Sequence, residues 1–285
     1  MPFFGAHISI AGGVHFAPER GYKVGCNAIQ LFTKNARQWK ASPLKEEEII
    51  NFKEDILRFK IYKVIAHDGY LINLAAPDDR IFSKSFESFT FELRRAELLD
   101  IPYLVMHPGS HLGKGEDYGI KKIAKSLNES LLESETKKVK ILLETTAGQG
   151  TNLGYTFEQI RDIIDMVDKK DRFGICLDTA HIFAAGYDIR SREAYEETME
   201  KFDKILGISN LFVIHTNDSK SELGSHVDRH EHIGFGKIGK DPFSFFINDP
   251  RLKDLPFILE TPKGRSPDGR DWDIVNLETL RNLQQ

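Results

Sequence analysis

The chain is poor in the features that would mark it as secreted, membrane-bound or modular. It has only two cysteines, Cys26 and Cys176, in 285 residues, so no disulfide framework can be built. Cys176 lies inside an apolar run, where a small core residue belongs. That usage suits a reducing compartment, and a cytoplasmic location is expected. No apolar run approaches the ~20 residues of a membrane span. The N-terminal MPFFGAHISIAGG lacks a basic segment followed by a long apolar stretch, so no secretory signal is expected. No Pro/Gly/Ser-rich linker and no low-complexity stretch interrupts the sequence, so one domain over residues 1–285 is expected. Net positive charge is also missing, the formal charge being −4. A nucleic-acid partner would then need a local source of positive potential, which a cluster of divalent cations would supply.

What the chain does have is a repeated ending. Six apolar runs each stop at an imidazole or a carboxylate: VIAH at His67, YLVMH at His107, ILLE at Glu144, GICLD at Asp178, FVIH at His215 and FILE at Glu260. Each reads as a buried strand of aliphatic and β-branched residues. Successive ends lie 40, 37, 34, 37 and 45 residues apart, room for one strand and one helix of a β/α repeat. Eight strand candidates emerge, at 3–9, 27–32, 62–67, 102–107, 139–144, 173–178, 211–216 and 256–260. Helices are expected at 43–60, 82–99, 117–135, 156–169, 191–206 and near 273–283, where apolar residues recur every three or four positions with charges between them. Ser42-Pro43 and Thr156 with Glu158 have the character of helix starts. Eight alternations imply an α/β fold, a single (β/α)8 TIM barrel. The loops after the strands, notably 33–40, 68–77, 108–115, 145–154 and 217–239, are longer and more distinctive than those on the opposite side. The active site of a barrel sits on that C-terminal face.

Six imidazoles and carboxylates would therefore converge on one cleft. Three more candidates stand close by. His181 follows Asp178 by three residues, and Asp228 and His230 are two apart in VDRHEH, on one side of an extended segment. Nine ligands are too many for one tetrahedral site. Imidazole and carboxylate without thiolate suit catalytic zinc, or manganese or iron, better than structural zinc. Two ions ~3.5–4 Å apart favour in-line displacement at phosphorus, and Glu144 and Glu260 are the candidates to bridge a pair. His7, His15, His111, His226 and His232 read as hydrogen-bonding or surface residues.

Two long segments are highly specific, LDTAHIFAAGYD (177–188) and HTNDSKSELGSHVDRHEHIGFGKIG (215–239). With GAHISIAGG (5–13), LFTKNARQW (31–39), AHDGYLINLA (66–75), HPGSHLGKG (107–115), LLETTAGQGTNLG (142–154) and LETPKG (259–264), the chain resembles endonuclease IV. That family comprises zinc-dependent abasic-site DNA endonucleases built on a (β/α)8 barrel. The resemblance implies three zinc ions per chain, with manganese or iron as alternatives at one position. By it His67, His107 and Glu144 hold the first ion, Glu144, Asp178, His215 and Glu260 the second, and His181, Asp228 and His230 the third. It implies hydrolysis of the phosphodiester bond 5′ to an abasic site in duplex DNA, leaving 3′-hydroxyl and 5′-deoxyribose phosphate ends, and trimming of blocked 3′ ends. Glu144 and Glu260 are the implied catalytic residues, Glu260 beside the attacking water.

The DNA side of the resemblance falls on the loops. Arg37, Tyr70 and Leu71 match residues that the family inserts into the duplex, and an abasic sugar leaves its stack at low cost. Thr33, Lys34, Asn35, Gln38 and Trp39 would contact the DNA backbone or brace the loop. Trp39 also suits packing beneath the loop, and Tyr70 an exposed loop aromatic. Gln149, with Gly148 and Gly150, would bring polar groups near phosphate. The implied partner is duplex DNA with abasic sites or blocked 3′ ends. No membrane and no obligate protein partner is expected, and a monomer suffices. Ala180 and Thr216 stand where the family often has Cys and a larger apolar residue; neither is a candidate ligand.

Two other readings fit parts of the pattern. A sugar isomerase or epimerase on the same barrel would also place Glu, Asp and His at strand ends, but has no need of Asp228 with His230 or of TKNARQWK. A damage sensor using metal as a structural element would bind lesions without cutting.

Overall fold

Eight parallel strands close into a barrel in the order in which they occur along the chain. They are β1 (Phe3–His7), β2 (Ala28–Phe32), β3 (Lys63–His67), β4 (Tyr103–Met106), β5 (Lys140–Glu144), β6 (Phe173–Asp178), β7 (Leu211–His215) and β8 (Pro256–Leu259). The structure, a computed structural model, describes residues 2–285. Each strand pairs with the next, and β8 returns to β1 through Phe3↔Pro256 to Ala6↔Leu259. Gly5 lets β1 lie against β2, because a Cβ there would collide with the Ala28 carbonyl oxygen. The helices are α1 (Ala17–Lys23), α2 (Glu46–Arg58), α3 (Asp79–Leu98), α4 (Glu116–Ser134), α5 (Phe157–Asp165), α6 (Thr179–Ala185), α7 (Arg192–Leu206), α8 (Phe243–Ile247) and α9 (Trp272–Arg281). Among the described residues no helix is long and apolar enough to cross a membrane.

The expected TIM barrel is therefore what forms, with element ends shifted by a few residues. Helix α2 starts at Glu46 rather than Pro43. The Ser42 carbonyl accepts from Arg95 Nη1 at 3.0 Å, which ties the segment before the helix to α3. Side-chain caps fix other starts, Asp78 for α3, Thr156 for α5, Ser191 for α7 and Asp271 for α9. The short helices α1, α6 and α8 had no periodic stretch long enough to announce them.

Two apolar shells hold the barrel. One lies between strands and helices and runs around the whole molecule. The other fills the barrel with Ala28, Ile65, Val105, Leu142, Cys176, Val213 and Ile258, resting on Phe3, Tyr103 and Phe212. A register shift between β6 and β7 pairs Ile175 with Leu211 but Cys176 with Val213. The extra residue, Phe212, packs beside Tyr103 with ring centroids 5.5 Å apart. That bulge lets Phe212 plug the bottom while Val213 still faces inward.

Candidate metal centre and DNA-facing rim

Side chains alternate along a strand, so the residue two beyond an inward-facing one also faces inward. Two positions beyond the seven residues filling the barrel stand Gln30, His67, His107, Glu144, Asp178, His215 and Glu260. Two beyond Gly5, which pairs with Ala28 and Ile258, stands His7. All eight strands thus contribute to one polar layer at the C-terminal mouth. Sequence reasoning singled out six of them as ligands. It passed over Gln30, whose signal was present: it is the one polar residue of AIQLF, in the inward phase.

Glu144 is the hub of this layer. It is fully buried. Its Oε2 lies 3.0 Å from His67 Nε2 and 3.3 Å from His107 Nε2. Its Oε1 lies 2.9 Å from His215 Nδ1 and 3.2 Å from His181 Nδ1. Asp178 faces His215 across the sheet and caps α6, accepting from the His181 N–H at 2.9 Å. Its second oxygen accepts from Asn217 Nδ2 at 2.6 Å. Glu260 Oε2 lies 3.3 Å from His215 Nδ1, while Oε1 accepts from Gln30 Nε2 at 2.5 Å. Asn217 Oδ1 accepts from the Glu260 N–H at 2.7 Å. Gln30 and Asn217 thus aim the ligand candidates without belonging to them. Neither was expected; Asn217 continues the inward phase two beyond His215.

The remaining candidates come from outside the strands. Asp228 Oδ2 lies 3.3 Å from His181 Nε2, and its Oδ1 lies 3.5 Å from His230 Nε2. The segment after β7 folds back as a short ribbon, Asp218–Ser219 pairing with His230–Glu231. Buried Asp218 pins it, accepting from the N–H groups of Ser219 (2.8 Å), Gly234 (2.9 Å), Gly236 (2.9 Å) and Ile238 (3.0 Å). Gln149 Oε1 accepts from the Asp228 N–H at 3.0 Å. Gln149, expected near phosphate, therefore braces this arm.

Three groups of donor atoms each lie within 4.8 Å of one another: His67, His107 and Glu144; Glu144, Asp178, His215 and Glu260; and Asp178, His181 and His230. The first two coincide with the implied sets. The third takes in Asp178, with Asp228 against both of its imidazoles. Among the described residues no lysine or arginine forms an ion pair with these carboxylates: Lys34 is 3.0 Å from Glu92, and Lys263 is 2.7 Å from Asp273. Burial works to raise the Glu144 carboxyl, yet His215 and His107 hold it well below the usual carboxylate range. Glu260 is held low in the same way by His215 and His7 against its burial. The Cys176 thiol one layer down is pushed well up by burial and stays protonated. Anionic oxygens and imidazoles without thiolate fit divalent cations of the zinc, manganese and iron class.

The expected DNA-contact residues part into two sets. Asn35, Arg37 and Gln38 are exposed, and Tyr70 and Leu71 are 70% and 37% exposed. Tyr70 stands edge-on to Phe32, with centroids 5.1 Å apart. Thr33 and Lys34 are buried instead; Lys34 Nζ donates to the Gln38 carbonyl at 2.7 Å. They brace the loop, the Lys34 ammonium being spent on Gln38 and Glu92 and the Thr33 carbonyl accepting from Arg95. Trp39 is half-buried. A cleft of about 890 Å³ joins Arg37 and Tyr70 to His67, His107, Asp228 and Glu260.

A family model described as a xylose isomerase-like TIM barrel matches residues 19–282. A curated protein of Geotalea daltonii, described as a probable endonuclease 4, is 50% identical over 281 residues, 99% of this chain and 98% of its own. Another of that description from Chloroflexus aurantiacus is 49% identical over 285 residues, 100% of this chain and 99% of its own. Among solved structures, endonuclease IV from Thermus thermophilus matches with a TM-score of 0.87 and 34% identity, covering 99% of this chain and 98% of that one. Identity of this order along the whole length shows that the chain belongs to the endonuclease IV family.

Proposed function

We propose that this chain is a DNA repair endonuclease that hydrolyses the phosphodiester bond 5′ to abasic sites in duplex DNA and also trims blocked 3′ ends. One barrel domain over residues 1–285 carries the activity. The single supporting observation is the continuous cleft of about 890 Å³ that places exposed Arg37 and Tyr70 beside the carboxylate and imidazole layer. Three zinc ions, with manganese or iron as alternatives at one position, are held by His67, His107 and Glu144; by Glu144, Asp178, His215 and Glu260; and by His181, Asp228 and His230. When bound they supply Lewis acidity at the phosphate and a water that ionises near neutral pH.

The chain's own residues do the rest. Arg37, Tyr70 and Leu71 fill the gap left by the abasic nucleotide and hold the duplex open. Asn35 and Gln38 contact the flanking backbone. Glu260 takes the proton of the attacking water. Of the three strand-end carboxylates it alone reaches the mouth, its side chain being 17% exposed against 0% for Glu144 and Asp178. Glu144, wholly enclosed, holds two donor groups together.

The test is a duplex with one tetrahydrofuran abasic analogue and a labelled 3′ or 5′ end. Wild type should cut 5′ to the analogue and leave a 3′-hydroxyl that a polymerase extends, and Glu260→Gln should bind the duplex without cutting it. Tight binding by wild type without scission would instead indicate a sensor. Turnover of a monosaccharide with intact DNA would indicate the isomerase chemistry that this barrel also hosts.

A further inference from the structure

The loops carrying Arg37 and Tyr70-Leu71 are not free-standing. Both are fastened to one helix, α3, by charged side chains buried in its packed face. Glu92 is fully buried and Arg95 is 6% exposed. Lys34 Nζ from the first loop lies 3.0 Å from Glu92 Oε1. The same oxygen accepts from the N–H of Gly69, the residue before Tyr70, at 3.3 Å. One turn further along, Arg95 donates to the Thr33 carbonyl through Nε at 2.8 Å and Nη2 at 2.5 Å. Its Nη1 donates to the Ser42 carbonyl at 3.0 Å. Arg95 thus clamps both ends of the segment whose tip is Arg37. The loops also touch each other, since a Cβ on Gly69 would lie 3.1 Å from the Ala36 carbonyl oxygen.

Stability alone does not account for this arrangement. A buried ion pair rarely outperforms apolar residues of the same size. This one is incompletely satisfied, for among the described residues Glu92 Oε2 has no hydrogen-bond partner, and neither has the Thr33 Oγ1 beside Lys34. What the arrangement does provide is a fixed spacing between two tips that must enter the duplex together. Loops ordered beforehand lose less freedom on binding.

Resting on the function proposed above, we propose that Glu92 and Arg95 are positioning residues that preset the two insertion loops for lesion recognition. They touch neither the DNA nor the metal layer, and they act through Lys34, Thr33, Ser42 and Gly69.

The full-length zinc-loaded protein is compared with Glu92→Gln and Arg95→Lys in three assays. These are steady-state cutting of the tetrahydrofuran duplex, hydrolysis of bis(p-nitrophenyl) phosphate, and zinc content with amide hydrogen exchange. In both variants KM for the duplex should rise about tenfold with kcat within about twofold of wild type. Turnover of the aryl diester, which needs only the metal layer, and zinc content should stay at wild-type values. Exchange over residues 33–42 and 68–72 should quicken in the absence of DNA. Unchanged exchange, unchanged KM, or a parallel fall in aryl-diester turnover would each overturn the proposal. If Glu92→Gln does not fold, Arg95→Lys, which keeps the charge and loses the fork, decides the matter alone. A wild type that leaves the duplex uncut would sink the proposed function instead, and exchange in the two loops would still decide whether these residues hold them.

Discussion

The proposed metal ligands fall into two halves that are held in different ways. His67, His107, Glu144, Asp178, His215 and Glu260 stand on or directly after the ends of barrel strands, and the register of the sheet places them. His181, Asp228 and His230 ride on a seven-residue helix and a long loop. Enclosure does not separate them, for the first runs from Glu144 and His215 at 0% side-chain exposure to His107 at 41%, and the second from His181 at 2% to Asp228 at 40%. The strand half takes its side-chain directions from the core residues two positions below, with Gln30 and Asn217 aiming Glu260 and Asp178. The loop half depends on props: the Asp178 cap on α6, the four N–H groups gathered by Asp218, and the Gln149 contact to Asp228. The sheet itself therefore holds the backbone of each strand-end candidate, whereas a loop-borne candidate can be displaced from a distance.

The largest expected effect breaks the strand half. Glu144→Gln removes the charge shared by two donor groups and should lower cutting of the tetrahydrofuran duplex by about 10³-fold or more, with loss of bound zinc seen by elemental analysis. Near-normal zinc content with near-normal cutting would remove Glu144 from the centre. Next comes a prop that touches no candidate ligand. Asp218→Asn leaves one acceptor oxygen where the carboxylate offered two. It should weaken metal retention by about 10- to 100-fold, with part of the bound metal lost on dialysis and the rest retained. Equal loss at all positions would erase the distinction between the halves. Gln149→Ala should act in the same direction but more weakly, about tenfold in the affinity of the weakest-held ion. A variant that instead loses DNA affinity at full metal content would return Gln149 to the phosphate-contact role first expected of it.

The smallest effect extends the comparison to the DNA-facing loops, which are propped as well. Burial pushes the Glu92 carboxyl up from 4.5 to about 7, against the pull of Lys34. A carboxyl raised on folding stabilises the native state when protonated. That contribution is full below the ordinary value and is lost as pH climbs through about 7. The melting temperature of wild type should therefore decline between about pH 5 and about pH 7 relative to Glu92→Gln. Parallel curves for the two proteins would show that Glu92 does not titrate there.

The strand half was largely legible in the amino-acid sequence because period-two alternation is a local rule. An apolar run ending in His or Glu announces both the strand and the direction of its last side chain. Gln30 follows the same rule and was missed because amide side chains are seldom sought as metal ligands, although they aim them. The loop half was legible only through the resemblance of the 215–239 segment to a known family. No periodicity shows that Asp218 gathers four N–H groups, or that Gln149 reaches a residue 79 positions away. By the family resemblance Thr33 and Lys34 would contact the DNA backbone or brace the loop. What engages them is Glu92 and Arg95 on α3, three elements later, and such pairings appear only once the chain is folded.

Asp178 has a consequence beyond its place in the centre. One of its oxygens starts α6 and the other receives Asn217, so that corner is tied before any cation arrives. The barrel interior beneath it is apolar and filled. The core is complete without the polar layer, so folding here has a source other than cation binding, unlike in small zinc modules whose folding free energy is the metal's binding energy. A chelated protein should therefore keep its barrel, and cations added back should find the layer already in place.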